Sequence, residues 1–146
     1  MIEMIAEWGI PGIFIISFLA STLFPLGSEA FVLVALASGS ASLPIWVAAT
    51  LGNTLGAITN YYVGYWGDKF IFSRFIKVSP EKRLKAEQLY AKYGAPILFF
   101  SWLPIIGDPL CIVPGVLKLK MNRFIFWVIL GKGFRYAMVT WMFNYF

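Results

Sequence analysis

The fold is decided by 22 residues without a formal charge, which run from Ile45 to Trp66: IWVAATLGNTLGAITNYYVGYW. As an α-helix this stretch would be about 33 Å long, enough to cross the hydrocarbon core of a bilayer. A second long apolar stretch, Phe124–Phe146, contains only two charges, Lys132 and Arg135. The sequence therefore predicts two membrane-spanning helices.

The composition indicates the same class of protein. Of the 146 residues, 60% are hydrophobic and 13% are charged, and the mean hydropathy is +0.76. A soluble domain has about 25% charged residues, and a chain this short cannot hide so much apolar surface in one core. We expect an integral membrane protein whose remaining apolar surface is covered by lipid. The absence of histidine excludes imidazole chemistry, and the single Cys111 excludes a thiolate metal cluster, so we expect no cofactor and no metal.

The placement of the positive charges predicts the orientation in the membrane. Ten of the twelve basic residues lie in two clusters, seven between Asp68 and Lys92 and three between Lys118 and Arg123. Short loops rich in lysine and arginine stay in the cytoplasm, so we expect the loop 67–93 inside and the acidic N-terminus outside. Within this loop, Ser79-Pro80 predicts the start of an amphipathic helix and Gly94 its end. A solvated linker helix and a helix resting on anionic headgroups are both open.

Three apolar pieces are too short to span a bilayer. Ala30–Ala37 and Pro96–Leu103 have 8 residues each, and Pro109–Leu117 has 9. Helices of this length reach about 12–14 Å, less than half of the hydrocarbon core, and suit re-entrant hairpins that enter and leave on one face. For the first hairpin a spanning arm, Trp8–Leu23, is an open alternative.

The sequence matches itself at an offset of 79 positions, which indicates an internal repeat. The matching residues are Pro25 and Pro104, Glu29 and Asp108, Leu51 and Leu130, and Gly52 and Gly131. An aromatic-Gly-x-Pro motif opens each half, at Trp8 and at Tyr93, with an offset of 85. We predict an all-α membrane protein with a single domain over 1–146. It is an inverted repeat of two units, each a re-entrant helical hairpin followed by a transmembrane helix (about 8–66 and 94–146), joined by a cytoplasmic amphipathic helix within 67–93.

Interrupted hydrophobic segments at equivalent positions of inverted halves mark the binding site of many transporters, near the bilayer midplane. Glu29 and Asp108 are the carboxylates inside apolar stretches, and such groups are costly in hydrocarbon unless paired, hydrated or protonated. We expect the hairpin tips to bring both acids together. The alternative is that each acid only caps the second arm of its hairpin. The residues predicted to form the tips are Pro25, Gly27, Pro104 and Gly107.

The long helices contribute the remaining candidate residues. Lys132 and Arg135 are three positions apart and share a face, and an intramembrane arginine near two acids forms either a structural ion pair or an anion clamp. Asn53 and Asn60 are polar at membrane depth and are expected to line a cavity. Small or polar residues recur at every fourth position, which predicts close backbone packing against a hairpin and leaves a homodimer open. They are Ala48, Gly52, Gly56, Asn60 and Gly64.

The chain resembles the DedA family of small membrane proteins, also called the SNARE-associated or VTT-domain family. The resemblance covers nearly the whole chain. It is carried by four motifs: Phe24-Pro-Leu-Gly-Ser-Glu29, Leu51-Gly-Asn-Thr-Leu-Gly56, Tyr62-Val-Gly64, and Trp102-Leu-Pro104 through Val113-Pro-Gly115. It implies two re-entrant hairpins, a bacterial inner membrane location, and proton-coupled transport of lipids such as phosphatidylethanolamine or undecaprenyl phosphate. Family members have an acid at the position of Asn53 and arginines at the positions of Ser101 and Gly107, so this chain departs from the pattern there.

These observations favour a lipid flippase or scramblase rather than an enzyme, with membrane lipids and protons as partners and no nucleic acid. Arg135 is expected to bind a headgroup phosphate, with Lys132 beside it, and proton uptake by an acid to gate access. A transporter or channel for small ions is the alternative, since two acids in a cavity can carry protons or cations. A less favoured alternative is an intramembrane aspartyl-type hydrolase with Glu29 and Asp108 as its dyad.

Overall fold

The computed structural model describes residues 2–22, 28–66, 80–102 and 107–146, and every regular element in these ranges is a helix. The elements in chain order are α1 (Ile2–Thr22), α2 (Ser28–Ala37), α3 (Ser42–Trp66), α4 (Pro80–Tyr93), a 3-10 helix (Ala95–Trp102), α5 (Gly107–Val116) and α6 (Met121–Tyr145). The predicted all-α class is confirmed.

None of the helices in the described part of the chain is both long enough and apolar enough to qualify as a membrane-crossing helix.

The helix boundaries repeat along the chain. α2 and α5 lie 79 positions apart at both ends (28 to 107 and 37 to 116), and so do α3 and α6 (42 to 121 and 66 to 145). The spacing of the helices is therefore the same as the offset at which the sequence matches itself. The inverted orientation of the two halves remains a prediction.

The aromatic-Gly-x-Pro motif breaks the backbone in the same way in both halves. Gly9 has φ +54° and interrupts α1 two residues before Pro11, and Gly94 has φ +70° and ends α4 two residues before Pro96. A side chain is strained at such positive φ values, whereas glycine is not. The motif therefore interrupts the helical backbone near the start of each predicted repeat unit. The helix predicted to start at Pro80 and stop at Gly94 is found as α4, and its amphipathic character stays a prediction.

The chain divides into two compact units, one formed by Met1–Gly56 with Lys132–Phe146 and the other by Ala57–Gly131. The core of the first unit contains Ile13, Val32, Leu36, Ile45 and Tyr136, all buried. The core of the second contains Leu98, Leu110, Cys111, Phe124 and Val128, all buried. Each unit thus has its own hydrophobic centre, and Cys111 on α5 is 1% exposed.

Glycines of α3 allow close backbone contacts with α1 in the first unit and with α5 in the second. In the first unit, a Cβ added to Gly52 would clash with the carbonyl of Phe14, and one on Gly56 with Ser21 and the carbonyl of Phe18. In the second unit, a Cβ on Gly64 would clash with the carbonyl of Ile112. The predicted small-residue stripe therefore packs against other segments of the same chain.

Candidate functional site

The predicted site residues Glu29 and Arg135 form an ion pair inside the first unit. Glu29 lies in the first turn of α2 and Arg135 in the second half of α6, and a guanidinium nitrogen of Arg135 contacts a carboxylate oxygen of Glu29. The side chain of Glu29 is 26% exposed and that of Arg135 is 19% exposed. The pair is thus partly buried, where water screens its attraction less than on an open surface. The contact is the ion pair expected as one of the two roles of Arg135, and the anion clamp stays a prediction.

A second polar contact joins the residues that neighbour the ion pair in the chain. Ser28, next to Glu29, shares a hydrogen bond with the hydroxyl of Tyr136, next to Arg135. Both residues are buried, Tyr136 completely. The guanidinium carbon of Arg135 lies 5.8 Å from the centre of the Tyr136 ring, within reach of a cation–π interaction. Two neighbouring positions on α2 are thus joined to two neighbouring positions on α6.

The Tyr136 hydroxyl connects this contact to α1 and α3. The side chains of Ser17 and Asn53 also interact with it. Asn53 Nδ2 donates a hydrogen bond of 3.0 Å to the backbone carbonyl of Ser17. The polar cluster of the first unit therefore draws on four helices, α1, α2, α3 and α6, and its members are Ser17, Ser28, Glu29, Asn53, Arg135 and Tyr136.

Three members of this cluster, Ser17, Ser28 and Tyr136, were not predicted from the sequence. Ser28 and Tyr136 are sequence neighbours of Glu29 and Arg135, and that adjacency was the available signal for both. Ser17 lies in the apolar run of α1 without a flanking charge, so no local pattern marks it as a site residue. Its role depends on the position of α3, which no local pattern encodes.

Lys132 is buried in the same unit, with 3% of its surface exposed. An ammonium that reaches the membrane surface along its aliphatic stem would be exposed, so this lysine does not extend outward in that way. Lys132 lies one turn before Arg135, so this half of α6 carries two basic side chains. Such a charge is costly to bury unless it is compensated by its surroundings.

The remaining candidate residues are not part of this cluster. Asn60 is buried at 3% exposure but belongs to the second unit. Asp108 is the second residue of α5, and Gly107 is its first. The side chain of Asp108 and the predicted tip residues Pro25, Gly27 and Pro104 lie outside the described residues. The expected meeting of Glu29 with Asp108 therefore stays a prediction.

Comparison with known proteins identifies the family. The family model of the VTT domain matches residues 10–145 of the chain. The chain belongs to the VTT-domain family, the same family that its motifs resemble.

Several relatives match along most of their length. The chain is 39% identical over 133 residues to the inner membrane protein YqaA of Escherichia coli K12, covering 88% of this chain and 86% of YqaA. An uncharacterized protein of Haemophilus influenzae is 33% identical over 138 residues, with 88% and 83% covered. An uncharacterized protein of Methanocaldococcus jannaschii is 26% identical over 141 residues, with 95% and 86% covered. No solved structure is significantly similar to the chain.

Proposed function

We propose that this protein is a lipid transporter of the bacterial inner membrane, a flippase or scramblase that moves phospholipid or polyprenyl phosphate between leaflets. The observation that carries the proposal is the ion pair of Glu29 and Arg135, backed by the buried hydrogen bond of Ser28 and Tyr136. A partly buried guanidinium that is held by a carboxylate of the same chain is a site for an anion that can take the carboxylate's place.

Three observations support a position in the membrane. The chain is 60% hydrophobic and only 13% charged. Large apolar side chains on the long helices are exposed, as expected of surfaces that face lipid tails. They include Leu51, Leu55, Phe126, Leu130, Phe134 and Trp141. The E. coli relative is described as an inner membrane protein. The basic clusters of the chain then favour a multi-pass topology with the loop 67–93 in the cytoplasm.

The ion pair supplies a switch. The guanidinium of Arg135 keeps its charge at any physiological pH, so it needs an anionic partner when partly buried. Glu29 provides that partner only while it is ionised. Proton uptake by Glu29 removes its negative charge, releases Arg135 and makes the guanidinium available to a headgroup phosphate. Loss of the proton restores the pair and expels the phosphate.

Phosphate geometry favours arginine for this role. A guanidinium presents parallel N–H donors that match two phosphate oxygens, whereas a lysine is a point charge. Lys132, one turn earlier on the same helix, adds positive charge that favours an anion over a cation. Asp108, at the repeat-equivalent position of Glu29, is proposed as the second proton-binding acid, in line with the offset of 79.

The test is transport in reconstituted vesicles. Fluorescent phosphatidylethanolamine and labelled polyprenyl phosphate are followed with an external quencher, with and without an imposed pH difference. We expect Glu29→Gln and Arg135→Ala each to abolish transport, and Arg135→Lys to lower the rate about tenfold or more because bidentate binding is lost. Arg123→Ala is the matched control, since Arg123 is an exposed arginine in the first turn of α6 and should leave the rate unchanged.

Loss of one partner of a buried pair also destabilises a protein, so folding needs its own control. The double variant Glu29→Gln/Arg135→Met removes both charges together and should fold at least as well as either single variant, yet not transport. Wild-type rates in Glu29→Gln and Arg135→Ala would contradict the proposal. Cation flux without movement of labelled lipid would favour a small-ion transporter instead.

A further inference from the structure

Three buried polar atoms of α3 lack a hydrogen-bond partner in the described part of the chain. They are Thr50 Oγ1, Asn53 Oδ1 and Thr54 Oγ1, and their residues are 5%, 2% and 3% exposed. We call them the α3 polar face. Because the three residues are spaced i, i+3 and i+4 on a helix, their side chains lie on the same side of α3. All three belong to the first unit, the unit that contains the ion pair.

The orientation of Asn53 is fixed by its other hydrogen bond. Its Nδ2 donates to the backbone carbonyl of Ser17 at 3.0 Å. A carbonyl oxygen only accepts, so the amide cannot be flipped to place Oδ1 there. Oδ1 is therefore an acceptor that needs a donor from elsewhere. The hydroxyls of Thr50 and Thr54 can each donate one hydrogen bond and accept others.

This set of donors and acceptors selects the ligand. A phosphodiester or fully ionised phosphate has no proton to give to Oδ1, so it cannot satisfy all three atoms. A metal cation would meet only neutral oxygens here, in a unit that already contains the buried Lys132 and the partly buried guanidinium of Arg135. Water both donates and accepts, and buried waters typically make about three hydrogen bonds to polar groups that have no other partner. We infer that the α3 polar face binds an internal water cluster.

The position of the cluster gives it a role that rests on the proposed function. Asn53 lies beside the hydroxyl of Tyr136, and that hydroxyl is hydrogen-bonded to Ser28, the neighbour of Glu29. The water cluster is thus placed beside the hydrogen-bonded hydroxyls of Tyr136 and Ser28, and Ser28 directly precedes Glu29 in the chain. An excess proton on this water can move along the hydroxyls of Tyr136 and Ser28 by exchange. Each hydroxyl oxygen binds the incoming proton and releases its own to the next acceptor, and the last proton released binds a carboxylate oxygen of Glu29.

Replacement of threonine by valine tests the inference through the sign of a stability change. Valine has the shape of threonine and lacks the hydroxyl. If the face is dry, removal of an unpartnered buried hydroxyl raises the melting temperature. If the face holds water, Thr50→Val and Thr54→Val take hydrogen bonds from the cluster, and we expect each to lower the melting temperature by about 2–6 °C. A rise or no change in both variants would overturn the inference.

Thr140 on α6 offers a matched control. It is buried in the same unit, but its hydroxyl donates to the backbone carbonyls of Tyr136 and Ala137 at 3.0 and 3.1 Å and needs no water. The measurement that uses this control is radiolytic hydroxyl-radical footprinting, which labels side chains that touch bound water. Thr140→Val should leave the labelling unchanged. We expect labelling around Asn53 in the wild-type protein and in Thr140→Val. In the double variant Thr50→Val/Thr54→Val we expect the labelling to fall at least threefold. Thr54→Ser keeps a hydroxyl, so we expect stronger labelling in Thr54→Ser than in Thr54→Val.

The melting temperature and the footprinting can both be measured without transport, so they test the water cluster separately from the proposed function. Labelling that is absent from the wild-type protein overturns the water cluster, whatever the transport rate. Labelling in a protein that moves no lipid supports the water cluster and contradicts the proposed function. Where lipid transport is present, we expect Thr50→Val/Thr54→Val to slow it about fivefold or more while Thr140→Val does not, and equal rates would remove the cluster's proposed role.

Discussion

The two 25-residue helices, α3 and α6, are built on the same plan and carry different chemistry. Their bounds differ by 79 at both ends, and each places a glycine against the carbonyl of a phenylalanine in its own unit: Gly52 on Phe14, and Gly131 on Phe99. The residue after that glycine is Asn53 in α3 and Lys132 in α6. Three positions further, α3 has Gly56 and α6 has Arg135. The repeat therefore preserves the packing position, while the polar positions beside it have diverged.

The short helices of the two units show the same contrast. α2 is held by the hydrogen bond between Ser28 and Tyr136, beside an ion pair. α5 receives hydrogen bonds from tyrosine hydroxyls: the Tyr90 hydroxyl donates to the carbonyl of Leu110 at 3.1 Å, and that of Tyr61 to the carbonyl of Leu119 just after α5. In the described side chains, α2 is thus contacted by a hydroxyl and an ion pair, and α5 by tyrosine hydroxyls that donate to backbone carbonyls.

The largest effect is expected at the repeated glycines. Gly52→Ala and Gly131→Ala would each press a methyl group into a backbone carbonyl, which cannot rotate away, so we expect the free energy of unfolding to fall by about 1–3 kcal/mol or more. Gly133→Ala is the control in the same helix, because its new Cβ would meet only side-chain atoms of Trp46 and Thr50 at 3.5 and 3.7 Å. That variant should keep its stability or gain up to about 1 kcal/mol from helix propensity. Denaturation in detergent measures all three, and equal losses at Gly131 and Gly133 would show that the carbonyl contact is not the cause.

A smaller effect is expected from the buried hydroxyl pair of the first unit. Tyr136→Phe leaves Ser28 Oγ buried without its partner, so we expect a loss of about 1–2 kcal/mol. Ser28→Ala should cost a similar amount. The double variant should cost less than the sum of the two, because both ends of the bond are removed together. A double-mutant cycle measures this coupling, and strict additivity would mean that the two hydroxyls do not act on each other.

The smallest effect is expected at Tyr90, and it depends on pH. Burial raises the pKa of Tyr90, so the folded protein keeps the phenolic proton at a pH where the unfolded chain has lost it. The contribution of Tyr90 to the free energy of unfolding is fully present below the unfolded pKa of about 10, and it decreases as the pH rises above that value. Tyr90→Phe should cost about 1 kcal/mol at neutral pH and show a weaker decline between about pH 10 and 11. A parallel decline in both proteins would place the alkaline sensitivity in another group.

Much of the frame follows from the sequence because it is encoded in local motifs and in a repeat that the sequence itself displays. The Gly-x-Pro motifs and Pro80 each depend on a few neighbouring residues, and the offset of 79 is visible when the two halves are aligned. All of them match bends and helix bounds in the structure. The partners within the site are not local. Ser28 and Tyr136 are 108 positions apart, and nothing in either segment specifies the other.

The contact of Trp46 with α6 is non-local for the same reason. Its indole Nε1 donates a hydrogen bond of 2.9 Å to the backbone carbonyl of Gly133. Only the packing of α3 against α6 in this unit brings the two together. Glu29 and Arg135 were identifiable because an isolated charge in an apolar run needs a partner somewhere, although the sequence did not state which one.

The burial of Cys111 has a practical consequence for mapping this chain. A thiol that is 1% exposed reacts with a water-soluble maleimide only when the second unit opens, so its labelling rate reports unfolding of that unit without any substitution. The native cysteine also need not be removed before reporter cysteines are introduced. One at Ser40, in the exposed turn between α2 and α3, would reveal which side of a sealed vesicle that turn faces.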